Sequence, residues 1–98
     1  MSEKITSFDV ASYLTIDEDI YIFLKEAADT GNTSDFIHAL NTAVRAKGMS
    51  EVAKKSGVTR ASLYKSLSEK GNPRFDTINK VCQALGFRLS IGDAHKTI

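Results

Sequence analysis

The sequence lacks the features that several classes of protein require. It has a single cysteine, Cys82, among 98 residues, so no intrachain disulfide can form. Its uninterrupted apolar stretches are only a few residues long, as at 20–24, and we expect no segment that crosses a membrane. The N-terminus has no basic-then-apolar leader, so we expect a cytoplasmic protein in a reducing compartment.

Sets of residues that would perform catalysis are equally scarce. The two histidines, His38 and His95, are far apart and accompany only one cysteine, so they predict no metal site. There is neither a Gly-x-Ser-x-Gly nucleophile motif nor a glycine-rich phosphate-binding loop. Cys82 falls on the apolar face of a predicted helix, where we expect a buried structural thiol. The sequence therefore predicts no enzyme, no cofactor and no metal.

The charge that is present is unevenly distributed. Residues 1–32 contain seven acidic and two basic side chains, whereas residues 33–98 contain five acidic and eleven basic ones. We interpret 1–32 as an acidic segment and helix that share one compact unit with a basic domain at 33–98. The asymmetry indicates two different partners, although a solvated surface explains the same pattern.

Capping and periodicity signals predict an all-α chain of four or five helices. The first predicted helix is capped by Thr15 and ended by Gly31, and the second starts after Asn32 or Thr33 and runs to about Lys47. Two short helices follow, one at 51–56 capped by Ser50 and one at about 60–69 capped by Thr59. The last is capped by Asp76 and runs through Leu85. The side chains predicted to face the core are Ile20, Phe23, Leu24, Ala27, Phe36, Ile37, Leu40, Ala43, Val44, Leu63, Leu67, Ile78, Val81, Cys82 and Leu85.

Residues 87–91 alternate apolar and polar side chains, which predicts a short C-terminal β-strand. A lone strand needs a partner. Pairing with a second chain and pairing with an extended segment at 5–10 both remain open.

Residues 49–68 have the pattern of a helix-turn-helix, in which two short helices meet at a tight turn. Ala53 is small where the helices must approach, and Gly57 can adopt a positive φ in the turn. Val58 can fill the angle between the helices, while Leu63 and Leu67 anchor the second helix. The same pattern leaves polar and basic side chains facing outward.

These outward positions are candidate contacts for double-stranded DNA. Arg60 could bind the O6 and N7 atoms of a guanine, and Ala61 could touch a thymine methyl. Residues 45–74 contain eight basic and two acidic side chains, which suits a phosphate backbone. The predicted DNA-binding residues are Ser50, Thr59, Arg60, Ala61, Ser62, Tyr64, Lys65, Asn72 and Arg74.

The chain as a whole resembles a known family. The 49–68 segment looks like the Xre/Cro-type helix-turn-helix of phage repressors, and residues 8–91 resemble bacterial addiction-module antidote (antitoxin) proteins. The stretches that carry this resemblance are Phe8-Asp9, Tyr13-Leu14, Ala46-Lys47-Gly48-Met49-Ser50, Ser62-Leu63-Tyr64, Gly71-Asn72-Pro73-Arg74-Phe75 and Ala84-Leu85-Gly86-Phe87-Arg88-Leu89.

The resemblance implies a lambda-repressor-like bundle that acts as an antitoxin. Such a protein neutralises a RelE/ParE-like toxin and represses its own operon as a homodimer on operator DNA. Our hypothesis for the toxin surface is a set of acidic residues, which are Asp17, Glu18, Asp19, Glu26 and Asp29. A stand-alone Xre-type regulator without a toxin and a protein-interaction module without DNA binding are the two alternatives.

Overall fold

The computed structural model describes residues 11, 14, 16–68 and 70–93, and five helices lie within these ranges. They are α1 (Asp17–Asp29), α2 (Thr33–Lys47), α3 (Met49–Ser56), α4 (Arg60–Ser66) and α5 (Phe75–Ala84). Helix α1 packs on α2, α2 packs on α3, and α3 contacts both α4 and α5. The predicted all-α class is confirmed for this part of the chain. None of its helices has the length and apolar character that crossing a membrane requires.

Helices α1 and α2 form an antiparallel hairpin that is fixed at both ends. At the connection, the Asn32 side chain caps α2 by accepting the Asp35 backbone N–H at 2.9 Å, which confirms the predicted start of this helix. At the open end, the Lys47 ammonium donates to the Asp17 carboxylate at 2.8 Å. That hydrogen bond is the main cause that raises the pKa of Lys47.

One hydrophobic core joins the five helices. Fourteen apolar side chains are buried among the described residues, and Leu40, Val44, Val52, Leu63 and Val81 are completely inaccessible. Every side chain predicted to face the core is either buried or partly buried against it. Sequence analysis missed Met49 and Val52, which lie on the inner face of α3. The short α3 is therefore a central packing element as well as a candidate binding element.

Two predicted helix starts are wrong. Helix α3 begins at Met49 after Gly48, so Ser50 lies inside the first turn and is not its cap. Helix α5 begins at Phe75 after Arg74, so Asp76 also lies inside the first turn. In α3 the earlier start allows the Met49 side chain to be buried, and that packing outweighs the cap that Ser50 would offer.

Two other predicted boundaries differ or cannot be compared. Helix α4 ends at Ser66, before the predicted 69, and the backbone at Gly71 then lies close to its last carbonyls. Helix α1 begins at Asp17 after Ile16, which offers no side-chain cap. The predicted cap, Thr15, lies outside the described residues.

The predicted C-terminal strand is not present among residues 87–93. After α5 the backbone turns at Gly86, whose N–H donates to the Gln83 carbonyl at 2.9 Å. The Phe87 N–H donates to the Cys82 carbonyl at 2.9 Å, which completes a Schellman motif at the helix end. Residues after Phe87 find no backbone ladder partner in the described ranges, and a strand cannot form without one. The segment at 5–10 that was considered as a partner lies outside those ranges.

Candidate nucleic-acid interface

A three-residue turn at 57–59 sets the geometry between α3 and α4. Gly57 adopts φ +79°, and its N–H donates to the Ala53 carbonyl at 3.0 Å, so this position favours glycine. The Ser56 hydroxyl accepts the Val58 N–H at 3.1 Å. Thr59 then caps α4, because its hydroxyl accepts the Ser62 N–H at 3.1 Å. The predicted roles of Gly57 and of Thr59 as a cap are confirmed.

Burial of one face of α4 leaves the other face to the solvent. Leu63 and Leu67 are 0% and 2% exposed, so they anchor the helix on the core as predicted. Tyr64, by contrast, is 52% exposed. All nine predicted DNA-binding residues are exposed, which are Ser50, Thr59, Arg60, Ala61, Ser62, Tyr64, Lys65, Asn72 and Arg74.

Arg60 connects the two helices on this exposed side. Its Nη1 donates to the Ser50 hydroxyl of α3 at 3.0 Å, and its Nη2 donates to the Tyr64 hydroxyl at 3.3 Å. The guanidinium carbon also lies 5.7 Å from the centroid of the Tyr64 ring, within the range of a cation–π interaction. Three predicted site residues are thus brought into one cluster, which we call the Arg60 cluster (Ser50, Arg60 and Tyr64).

The loop before α5 lies against the C-terminal end of α4. A Cβ atom at Gly71 would clash with the backbone carbonyl oxygens of Ser66 and Lys65, so the backbone approaches closely here. The Gly71 N–H donates to the Ser68 carbonyl at 2.9 Å. Asn72 and Arg74 follow Gly71 in this loop, and both are exposed. Neither side chain joins the Arg60 cluster, and Arg74 makes no ion pair with another described residue.

The electrostatics of the region are positive and largely uncompensated. Lys54, Lys65 and Arg74 are exposed and make no ion pair with any residue the structure describes. Lys55, by contrast, is paired, because its ammonium lies 2.9 Å from the Glu51 carboxylate. The hydrogen bond from Lys55 is the main cause that lowers the pKa of Glu51. The free cations are available to a polyanion.

Sequence reasoning identified the members of the Arg60 cluster but not their contacts. Arg60 and Tyr64 are four residues apart in one helix, so their contact could have been read from helical periodicity. The contact between Ser50 and Arg60 could not, because it depends on the angle between two helices. Ser50 was predicted as a cap of α3, and its hydroxyl instead accepts from the side chain of α4.

A second exposed surface lies on α1. Tyr21 and Ile22 are 49% and 45% exposed, although both are large and apolar. The Tyr21 ring lies 5.8 Å from the Phe87 ring, which places the segment after α5 beside α1. Of the acidic residues proposed for toxin binding, Asp17 and Asp29 are engaged with Lys47 and Lys25, respectively. Glu18 and Glu26 are exposed carboxylates without an ion pair in the described part of the chain.

Residues with metal-binding chemistry do not assemble in the described ranges. No group of three or more histidine, cysteine, aspartate or glutamate side chains there could hold a metal ion. Cys82 is 3% exposed within the core, in agreement with the predicted structural thiol.

Nearly the whole chain is similar to known proteins. Residues 4–93 match a family described as "Probable addiction module antidote protein". An uncharacterized protein of Haemophilus influenzae is 40% identical over 91 residues, which cover 93% of this chain and 94% of the relative. No solved structure matches.

Proposed function

Because the chain belongs to the family of probable addiction module antidote proteins, we propose that it is an antitoxin with two binding surfaces. Helices α3 and α4 form a helix-turn-helix that binds operator DNA and represses the operon of the module. Helix α1 contributes the surface that neutralises a small RelE/ParE-like toxin. The two functions are assigned to different helices of one core.

The observation that carries the DNA half of the proposal is the exposed side of α4. Its anchoring leucines are buried, while every predicted DNA contact is exposed. In a helix-turn-helix the N-terminal residues of the second helix approach base edges, and Arg60 and Ala61 occupy that place. Lys65 and Arg74 supply cations that lack ion pairs with described residues and suit phosphates.

Repression by this geometry needs two copies of the chain. A helix-turn-helix dimer places its recognition helices in successive major grooves about 34–36 Å apart, and the two-fold axis of the protein matches a palindromic operator. We therefore propose that the protein acts as a homodimer on DNA.

The toxin half of the proposal follows from the surface of α1. Glu18 and Glu26 present unpaired carboxylates, while Tyr21 and Ile22 present apolar area beside them. Toxins of the RelE/ParE type are small and basic, so opposite charges would favour encounter and the apolar side chains would be buried on binding. Asp17 and Asp29 are held by lysines of this chain, and they contribute less to such a surface than the sequence indicates.

The test is binding to DNA from upstream of the protein's own gene, measured by fluorescence anisotropy across a series of salt concentrations. We expect selective binding by the wild type and its loss in the Arg60→Ala/Lys65→Ala variant. Each phosphate contact that is removed should make the negative slope of log K against log salt shallower by about 0.9. Lys25→Ala on α1 is the matched control, which removes a cation outside the proposed interface and should bind as the wild type does.

An absence of selective binding by the wild type would overturn the DNA half. The exposed apolar residues of α1 would then favour the second candidate, a protein-interaction module without DNA binding. The neighbouring genes distinguish an antitoxin from a stand-alone regulator, because only an antitoxin gene lies beside the gene of its toxin.

A further inference from the structure

The Arg60 cluster holds an exposed arginine in one orientation. An exposed arginine at the start of a helix is free to rotate unless other groups hold it. In Arg60 both terminal nitrogens donate hydrogen bonds. Nη1 is 3.0 Å from the Ser50 oxygen, and Nη2 is 3.3 Å from the Tyr64 oxygen. The Tyr64 ring at 5.7 Å lies beside the guanidinium. Contacts from two helices therefore fix the direction in which the guanidinium points.

The cluster leaves Arg60 able to bind a further partner. A guanidinium has five N–H donors, and the two contacts within the cluster use one donor on each terminal nitrogen. Three donors remain, and a guanine needs two for its O6 and N7 atoms. No carboxylate of the described residues forms an ion pair with Arg60, and the first turn of α4 contains no acidic residue. The charge is oriented but not neutralised.

We propose that Arg60 reads a guanine in the major groove and that Ser50 and Tyr64 are positioning residues that set its orientation. This inference rests on the proposed DNA binding and names the base that the site selects. The physical reason is entropy. A free arginine loses rotamer entropy when it is fixed, whereas an arginine that is already held loses less of it on binding DNA.

The rival role for Arg60 is a phosphate contact. A phosphate contact strengthens binding to all sequences and gives a salt-dependent term without base preference. A guanine contact gives a penalty at one base pair. The two roles are therefore separable by changing single base pairs and by varying salt.

The experiment uses operator duplexes in which each guanine in turn is replaced by 7-deazaguanine, which lacks the N7 acceptor. Affinities are measured by anisotropy for the wild type and for Arg60→Ala, Ser50→Ala, Tyr64→Phe and Ser50→Thr. We expect one guanine at which the wild type loses affinity roughly tenfold. Arg60→Ala should show no loss at that position.

The positioning residues have their own expected results. Ser50→Ala and Tyr64→Phe should each reduce the penalty at that guanine several-fold while the salt slope stays unchanged. Ser50→Thr, which keeps the hydroxyl, should restore the penalty. Ser34→Ala on α2 is the matched control for removing an exposed serine hydroxyl, and it should leave the penalty intact.

The possible failures are distinguishable. If the wild type binds selectively but Arg60→Ala keeps every guanine penalty, then Arg60 does not read the base and the inference is wrong. If Arg60→Ala abolishes the penalty while Ser50→Ala and Tyr64→Phe both retain it, then the positioning role is wrong. A wild type that does not discriminate between sequences overturns the proposed function and this inference together.

Discussion

Cys82 shows how the interior acts on a single reactive group. The side chain is 3% exposed, and it packs in the core with Val81 and Leu85 of the same part of the chain. Burial disfavours the charged thiolate and raises the pKa of Cys82 from 9.0 to about 11. At neutral pH the thiol is protonated and behaves as a small apolar side chain.

The raised pKa of Cys82 predicts a loss of stability at alkaline pH. The unfolded chain releases the thiol proton near pH 9.0 and the folded chain near pH 11. The stabilisation is fully present below pH 9.0 and is lost as the pH rises toward the folded value. A rise of this size in the pKa of Cys82 corresponds to about 2 to 3 kcal/mol in the free energy of unfolding.

Urea denaturation of the wild type and of Cys82→Ala at several values of pH measures this loss. The lysines, including Lys47 with its raised pKa, titrate in both proteins, so the difference between the two isolates the thiol. We expect the free energy of unfolding of the wild type to fall relative to that of the variant between pH 9 and pH 11. A difference that stays constant with pH would contradict the buried, protonated thiol.

The residues of the site could be predicted better than the contacts between them. Helical periodicity predicts the exposed side of α4 once Leu63 and Leu67 face the core, as the structure has them. The residues on that side are Arg60, Tyr64 and Lys65. Ser50 was predicted to be exposed at the site, and that holds, but its role as a cap does not. Its contact with Arg60 bridges ten positions and two helices, so it depends on a packing angle that no local pattern contains.

At the scale of the helices, periodicity predicted the buried faces and local capping predicted only some of the ends. Thr59 caps α4 as expected, and Asn32 caps α2 at the place where the sequence predicts the start of that helix. At α3 the burial of Met49 moves the start of the helix two residues upstream of the predicted 51. Capping contributes about 1 kcal/mol, and burial of a methionine contributes about as much or more, so packing decides such cases.

The C-terminal strand failed as a prediction for a related reason. Alternation of apolar and polar residues predicts a strand only if one face is buried. Leu89 and Ile91 are 38% and 100% exposed, so the alternation does not correspond to a buried face in this chain. The pattern carried no information about a pairing partner, and pairing is what makes a strand.

The close approach of the loop to α4 predicts that Gly71 is sensitive to substitution. In Gly71→Ala the new Cβ would meet the backbone carbonyls of Lys65 and Ser66, which cannot move without disturbing the helix end. We expect a loss of about 1 to 3 kcal/mol in the free energy of unfolding, measured by urea denaturation. DNA affinity should also fall, because Asn72 and Arg74 would be displaced.

Gly92→Ala is the matched control for this substitution. A Cβ at Gly92 meets no atom within 4 Å, and its φ is not positive, so the variant should be as stable as the wild type. Equal stability of both variants would show that the loop does not press against α4.

At the scale of the whole molecule, charge separates the two proposed surfaces. The exposed carboxylates of α1 that pair with no described residue belong to the acidic first third of the sequence. The cations that likewise pair with no described residue belong to α3, α4 and the loop that follows. Helix α1 is connected to α3 and α4 through α2 and the shared core. Substitutions on the outer face of α1 should therefore affect one partner only.

Charge reversal on α1 tests this separation. In the Glu18→Lys/Glu26→Lys variant we expect affinity for the toxin encoded in the same operon to fall roughly tenfold, because attraction to a basic partner is replaced by repulsion. Binding to operator DNA should persist. Isothermal titration with purified toxin and anisotropy with DNA measure the two affinities.

A charge-matched control excludes a general effect of net charge. The Asp35→Lys/Asp76→Lys variant makes the same change in total charge on α2 and α5, and its toxin affinity should match the wild type. Equal losses in both reversed variants would mean that the toxin responds to total charge and not to the surface of α1.

The contact between Tyr21 and Phe87 has a consequence for the order in which the protein takes shape during translation. The two rings lie 5.8 Å apart but are separated by 66 positions, so the contact must wait until the end of the chain has left the ribosome. The hairpin of α1 and α2 and the turn between α3 and α4 are local and need only their neighbours. A nascent chain can therefore complete α3 and α4 before the Tyr21 ring of α1 meets the Phe87 ring.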